Sequence, residues 1–364
     1  MVTVLIAGGG TGGHVYPMLA VGRALAASRP DVSVFYVGTA RGLEAKVMPE
    51  AGCDLELLDV APLRGGGVKG AFAGAVKAAK SLAASAALVR RRKPDVVLSV
   101  GGYAGGPVAL AARLMGVPLA VLEPNSVLGL TNKLLSPFSN RAYVAFGDVD
   151  KSFAPGVAQR FGVPLRGEFA PNVYLPKADR FRVLVLGGSL GAKGINTRAP
   201  AALAQVLTAF PHADVVHQTG RGHADGVRDA YRQLGLEGDA RVRITEFISD
   251  VASELLAADV VVERCGASSL AELTVVGRAS VLIPFPFAAD QHQLANARAL
   301  EKAGAAIAMP ESEVTGDRLA AALLELAADP ARRKTMADSA RALGRPAAAK
   351  DVARDLLALA ERKN

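Results

Sequence analysis

The chain has 364 residues, 51% hydrophobic and 21% charged, more than one ordinary doubly wound domain holds and comfortable for two. Its net charge of +8 lies mostly in residues 1–165, with 17 Lys/Arg against 10 Asp/Glu, while residues 166–364 carry 25 against 24. That asymmetry points to an anionic partner for the first half, unless it reflects only a basic proteome; Trp is absent and aromatics make up 5%, which argues against stacking on single-stranded nucleic acid.

Other classes fall away as quickly. Cys53 and Cys265 lie far apart and match no metal spacing, so a reduced compartment is expected. Strand-like sequence begins at residue 2 without a basic leader, and Lys77 and Lys80 interrupt the best apolar stretch at 71–89. Neither a signal peptide nor a membrane span is expected.

In chain order, the apolar run Val2–Ala7 predicts a buried strand that ends in Gly8-Gly9-Gly10-Thr11-Gly12-Gly13-His14 and a helix over 14–28. A strand at 32–37 follows and ends in Gly38-Thr39, with no acidic residue placed for a cofactor ribose, so a dinucleotide reading of the glycines is poor. His14 either packs at the helix start or serves as a base beside a bound phosphate. Helices at 42–50, 68–92, 105–115 and 129–135 alternate with strands at 55–59, 95–100, 118–122 and 141–145. In the helix 68–92, Val68, Phe72, Val76 and Ala79 share a face near Lys69, Lys77 and Lys80, and Arg90-Arg91-Arg92-Lys93 ends it. The stripe faces either the core or an anionic bilayer surface.

A second glycine turn, Gly101–Pro107, follows the strand at 95–100, and Glu123-Pro124-Asn125 ends the next strand; each reads as a helix cap or as part of a ligand edge. Asp148-Val149-Asp150 has a metal–nucleotide spacing without further ligands and reads as incidental. Arg160–Lys177, with Pro164, Gly167, Pro171 and Pro176 and little periodicity, reads as the linker.

The second half restarts with a strand at 181–186 and the turn Gly187-Gly188-Ser189-Leu190-Gly191-Ala192, expected to offer phosphate donors, with Arg166 as a nearby cation. Strands near 213–217, 241–244, 259–262, 279–283 and 305–308 alternate with helices near 192–209, 223–234, 249–257, 267–276, 291–302, 315–328 and 330–343. A last helix, about 347–362, is free to cross back to the first domain. The alternation implies parallel sheets with right-handed crossovers. Glu272 reads as a ribose ligand or as ordinary helix charge, and Asp290-Gln291-His292-Gln293 suits sugar hydroxyls.

Taken in order, Gly8–His14, Gly101–Pro107, Glu123-Pro124-Asn125, Leu130-Thr131-Asn132-Lys133, Gly187–Ala192, Glu263–Glu272, Asp290–Gln293 with Asn296, and Glu301–Ala305 resemble the MurG family of lipid I N-acetylglucosaminyltransferases, glycosyltransferase family 28. The resemblance runs nearly end to end. It implies a GT-B fold: two Rossmann-like domains with parallel sheets facing across a cleft and a C-terminal helix returning to the N-terminal domain. The expected domains are 1–165 with 345–364, meeting acceptor and membrane, and 166–344, binding UDP-GlcNAc.

The implied reaction moves GlcNAc from UDP-GlcNAc to the C4 hydroxyl of the muramoyl sugar on undecaprenyl-pyrophosphate (lipid I), with inversion and without an essential metal or other cofactor. It also implies a peripheral place on the cytoplasmic face of the membrane and cell-wall synthesis proteins as further partners. By resemblance, Thr11, Gly12, Gly13, Asn125, Arg166, Ser189, Ile248, Ala267, Ser268, Ser269, Leu270, Ala271, Glu272 and Gln293 correspond to nucleotide-sugar-binding positions. Glu272 would hold the uridine ribose, Ile248 the uracil edge and Gln293 the GlcNAc hydroxyls, and His14 is the catalytic candidate. Two positions depart from the family pattern: Leu122 stands where His commonly precedes the Glu-Asn segment, and Glu263 replaces a small residue before Arg264. The alternatives are a UDP-GlcNAc 2-epimerase and a non-catalytic nucleotide-sugar-binding scaffold.

Overall fold

In the computed structural model, which describes residues 1–60, 67–177, 179–188 and 190–362, the chain forms two compact units. One comprises residues 1–167 with 345 onward, the other 168–344.

The first unit runs β1 (Val2–Ala7), α1 (Gly12–Ser28), β2 (Val32–Gly38), α2 (Glu44–Glu50), β3 (Leu55–Leu57), α3 (Gly67–Arg92), β4 (Val96–Ser99), α4 (Gly102–Leu114), β5 (Leu119–Glu123), α5 (Leu130–Leu135), β6 (Arg141–Val144) and β7 (Ala158–Gln159). Its parallel sheet has the order β3-β2-β1-β4-β5-β6-β7. The central strands are near-continuous apolar runs, as burial on both faces demands: Val4, Leu5, Ile6, Val96, Val97 and Leu98 are inaccessible to solvent.

The second unit runs β8 (Phe181–Leu186), α6 (Lys193–Ala209), β9 (Ala213–Gln218), α7 (Ala224–Gln233), β10 (Val242–Thr245), α8 (Val251–Ala257), β11 (Val260–Glu263), α9 (Ala267–Val276), β12 (Ala279–Leu282), α10 (His292–Lys302), β13 (Ala306–Ala308), α11 (Gly316–Ala328) and α12 (Pro330–Leu343). Its parallel sheet has the order β10-β9-β8-β11-β12-β13. In both sheets the order reverses once, between β1 and β4 and between β8 and β11. Chain ends diverge at such a point and leave a crevice beyond the carboxyl edge, where ligands bind in open α/β sheets.

The last helix, α13 (Ala348–Glu361), returns to the first unit and packs on α1 with Val352, Leu356, Leu357 and Leu359 buried. Asp355 accepts the Tyr143 hydroxyl at 3.0 Å and pairs with Arg141 at 3.2 Å, and Arg29 pairs with Glu361.

Boundaries differ from the periodicity mainly at glycines. α4 begins at Gly102, not 105, so most of the turn Gly101–Pro107 lies inside a helix; Gly101 alone stands outside, at φ 89°. The short edge strand β7 carries no apolar run and is invisible to pattern.

The second core holds one ionisable group with a measurable consequence. His217 is fully buried between Asn196 and Tyr231. Asn196 donates its amide to the Thr219 carbonyl at 2.9 Å, so its Oδ1 faces His217 Nε2 at 3.2 Å and must receive a proton from it. Burial keeps the ring neutral by pushing its pKa down to about 4 from 6.5, and Nδ1 is then left to accept from the Tyr231 hydroxyl at 3.3 Å. Above pH 6.5 both folded and unfolded chains are neutral here and the contribution is full. As pH falls toward 4 the unfolded chain takes up a proton that the folded core refuses. Stability is expected to drop by up to about 3 kcal/mol across that window, and His217→Gln is expected to flatten this part of a melting-temperature profile against pH.

Candidate active site

In the first unit the carboxyl edge is built from glycines packed on a buried carboxylate. Glu44, inaccessible to solvent, accepts the Gly10 N–H at 2.7 Å and both the N–H and hydroxyl of Thr39 at 2.9 Å. A Cβ at Gly9 (φ 139°) would lie 2.1 Å from that carboxylate, and one at Gly102 (φ 75°) would lie 2.4 Å from the Gly9 carbonyl. Only glycine allows both contacts. The turns after β1 and β4 are thus one packed unit spanning the reversal point.

His14, in the first turn of α1, uses the same turn. Its Nδ1 lies 3.0 Å from the Gly9 carbonyl. A carbonyl only accepts, so Nδ1 carries a proton, and in the neutral ring this leaves the lone pair on Nε2. Nε2 faces the second turn: a methyl added at Gly101 would lie 3.5 Å from it and 3.8 Å from Asn132 Nδ2. Asn132 is held by the Leu122 carbonyl (2.9 Å) and Glu123 (3.0 Å). Buried Glu123 also accepts the Asn125 N–H, the Asn125 amide and the Gly129 N–H, which organises the loop after β5.

The anion donors at this edge are those the helix cannot use. Gly8 and Gly10 spend their N–H groups on Val37 and Glu44, whereas Gly12 and Gly13 are the first helical residues and precede any intrahelical acceptor. Thr11 is the N-cap of α1. The Arg166 guanidinium stacks over Tyr16 at 4.9 Å, which puts this cation beside α1 in the first unit.

The turn after β8 departs from expectation. Gly187 and Gly188 donate to the Gln218 carbonyl (3.0 Å) and side chain (3.2 Å), and Gly191 donates to Gly188 (3.1 Å). These three N–H groups close the turn instead of facing outward, while the first N–H groups of α6 precede any intrahelical acceptor. Ser189 lies outside the described residues.

The loop between β11 and α9 carries Ala267, Ser268, Ser269, Leu270, Ala271 and Glu272 on the helix that follows it. It is clamped from α10: Asn296 donates to the Cys265 carbonyl at 3.1 Å, and Gln293 Oε1 accepts N–H groups from Phe285 (2.9 Å) and Cys265 (3.3 Å). With its oxygen committed to two backbone donors, Gln293 has its amide NH₂ as the group left to donate. The turn before α10 is strained, since Asp290 and Gln291 both have positive φ (49° and 52°), an uncommon conformation concentrated at functional sites. Arg264 pairs with Glu311 at 2.5 Å and donates to the Ile283 and Pro284 carbonyls. Ile248 is buried in the loop after β10, two strands from β8.

The first unit therefore assembles Thr11, Gly12, Gly13, His14 and Asn125 at one edge, and the second assembles residues 267–272 with Gln293 at another. Pattern reading missed Glu44, whose only signal is the set of glycines around it at 9, 38 and 42. Among the described residues no cluster of three His, Cys, Asp or Glu side chains could hold a metal, and Asp150 is engaged by Arg160.

Comparison with known proteins places these edges in context. Residues 4–144 match the glycosyltransferase family 28 N-terminal domain and residues 182–352 the glycosyltransferase family 28 C-terminal domain. A protein of Sorangium cellulosum named UDP-N-acetylglucosamine–N-acetylmuramyl-(pentapeptide) pyrophosphoryl-undecaprenol N-acetylglucosamine transferase is 55% identical over 99% of this chain and 89% of its own. A Myxococcus xanthus protein of the same name is 43% identical over 97% and 92%. The crystal structure of Acinetobacter baumannii MurG superposes with a TM-score of 0.82 at 29% identity, covering 98% of this chain and all of that one. A putative UDP-N-acetylglucosamine 2-epimerase from Listeria monocytogenes gives 0.74 at 14% identity over 100% and 98%, a likeness of fold alone.

Proposed function

The chain belongs to glycosyltransferase family 28, and we propose that it moves N-acetylglucosamine from UDP-N-acetylglucosamine onto N-acetylmuramyl-(pentapeptide) pyrophosphoryl-undecaprenol, forming the lipid-linked disaccharide of peptidoglycan. The observation that carries this reading is identity of 55% along 99% of the chain to a transferase so named. The site chemistry supports it. Inverting attack on C1 needs a base for the acceptor hydroxyl, and His14 Nε2 has the lone pair and a fixed ring to serve. The N–H groups of Gly12 and Gly13 at the start of α1 suit the acceptor pyrophosphate.

In the donor unit, the start of α6 suits the departing pyrophosphate. Glu272 suits the ribose hydroxyls, and the Gln293 amide suits those of the sugar. Incubated with UDP-GlcNAc and a short-chain analogue of the acceptor lipid, the protein is expected to release UDP and glycosylated lipid. UDP-N-acetylmannosamine formed without acceptor would favour the epimerase, and binding without turnover the scaffold.

The acceptor is a membrane lipid, yet no helix among the described residues is long and apolar enough to cross a bilayer. Peripheral contact at the cytoplasmic face is the proposal, made through the basic first unit. The side chains of Val68, Phe72 and Val76 lie outside the described residues. Ala79, Lys77 and Lys80 are exposed, while the packed face of α3 carries Ser81, Ser85, Leu88 and Val89. On the adjoining α4 and α5, Tyr103, Leu114, Leu130 and Leu134 are exposed beside Arg113 and Lys133. Apolar groups ringed by cations suit an anionic surface. Leu114→Asp with Leu134→Asp is expected to abolish co-sedimentation with anionic vesicles while UDP binding persists; unchanged sedimentation would remove the assignment.

A further inference from the structure

The loop between β12 and α10 displays an aromatic pair that the chemistry above leaves unused. Phe287 is 84% exposed, more than any other phenylalanine among the described residues, and Phe285 is 43% exposed. Their rings meet edge to face, with centroids 5.7 Å apart and planes at 72°. The aromatic quadrupole favours that arrangement, so Phe285 supports Phe287 at a set angle. The Phe285 ring also carries the Arg264 guanidinium, 5.6 Å from its centroid, and Arg264 is itself held by Glu311 and two carbonyls.

The backbone fixes the pair to the site. Pro284 and Pro286 set their own φ, and Pro286 restricts Phe285 between them. The Ala288 N–H donates to the Phe285 carbonyl at 3.3 Å and the Gln291 N–H to the Ala288 carbonyl at 3.0 Å, so two successive turns join the rings to α10. The link to Gln293 is direct. The Phe285 N–H donates to Gln293 Oε1 at 2.9 Å, one of the two bonds that leave the Gln293 amide NH₂ as the group to donate. An exposed ring thus stands one residue beyond Pro286 from the backbone that orients Gln293.

We infer that Phe287 is a specificity-determining residue of the donor site, whose ring packs on the apolar C–H face of the N-acetylglucosamine while the Gln293 amide meets the hydroxyls. This rests on the reading of Gln293 as the sugar ligand. A pyranose offers two kinds of surface: hydroxyls around its rim, and C–H groups on its faces whose positive hydrogens suit the negative face of an aromatic ring. Water can replace the sugar at the amide but not at the ring, so the ring is what makes the site prefer a sugar to solvent. The sheet order β10-β9-β8-β11-β12 puts Ile248, read as the uracil contact after β10, four strands from the loop after β12. The sugar end of the donor is therefore the part that reaches the pair.

The test is calorimetric titration of the full-length protein with UDP and with UDP-GlcNAc, for wild type, F287A, F287Y and Q293A, beside steady-state kinetics with a short-chain acceptor lipid. F287A is expected to bind UDP-GlcNAc about fivefold more weakly and UDP within about twofold of wild type. F287Y, which keeps the ring, is expected to bind both like wild type. Phe287 is exposed, so F287A is expected to melt with the wild type, which separates a lost contact from a lost fold. Equal weakening toward UDP and UDP-GlcNAc would put the ring on the nucleotide, and a raised KM for the acceptor alone would put it on the lipid. Either result, or unchanged binding of both ligands, overturns the assignment. Q293A tests the reading beneath it: weakening confined to UDP-GlcNAc supports Gln293 as the sugar ligand, and its absence overturns that reading whatever F287A shows. A selective Q293A beside an unselective F287A removes only the role of Phe287.

Discussion

Replacing His14 by alanine is expected to lower kcat by about 10²- to 10⁴-fold while leaving affinity for UDP-GlcNAc within about twofold. The size follows from what is removed. The imidazole is the group at this edge with a lone pair and a fixed direction, since its Nδ1 proton is spent on the Gly9 carbonyl at 3.0 Å. Glutamine at this position can restore a hydrogen bond to Gly9 but cannot take up a proton near neutral pH, so His14→Gln is expected to be nearly as slow as alanine. Donor affinity is expected to survive because Glu272 and Gln293 belong to the other unit. Single-turnover kinetics with direct donor titration separates the two quantities. Equal loss of both, or loss of neither, would count against a base.

Much of the fold was legible in the sequence because parallel sheets buried on both faces need unbroken apolar strands, and those runs stand out between helical stretches. The alternation and the restart at Phe181 follow from pattern; the return of the last helix is implied only by the family resemblance, since pattern leaves that helix free to go either way. What pattern missed has physical causes. Glycine reads as turn, yet Gly102, Gly105 and Gly106 lie in α4, and at two of them close packing leaves no room for a side chain: a Cβ at Gly102 would sit 2.4 Å from the Gly9 carbonyl and one at Gly105 2.7 Å from Ser99 Oγ of β4. The turn after β8 looks like a phosphate cradle, but the Gly187 and Gly188 N–H groups answer to Gln218, a residue on the neighbouring strand that no local window pairs with it. Of the candidate site, the residue types on each edge were readable from glycine turns and the polar groups beside them. Their directions, such as which nitrogen of His14 faces outward, needed coordinates.

Glu44 is where those unreadable contacts carry the largest consequence for folding. A glutamate in the first turn of a seven-residue helix looks like ordinary helix charge. Here it is wholly buried and is the shared acceptor for two N–H groups and a hydroxyl, from Gly10 and Thr39. Glu44→Ala leaves those donors buried and unmatched and opens a space beneath Gly9, so a loss of about 3 kcal/mol or more is expected, read as a lower melting temperature. Glu44→Gln is the sharper test. Whichever way its amide turns, the NH₂ meets either the Gly10 N–H or the Thr39 N–H, donor against donor. Function is expected to fall with it, because the Gly9 carbonyl that sets the His14 tautomer is the residue next to Gly10. In the glutamine variant, kcat is expected to drop by about tenfold or more at temperatures where the protein is still folded, while UDP affinity holds. A glutamine variant that melts and turns over like the wild type would show that the glycine turn stands without its carboxylate and that His14 is held by the helix alone.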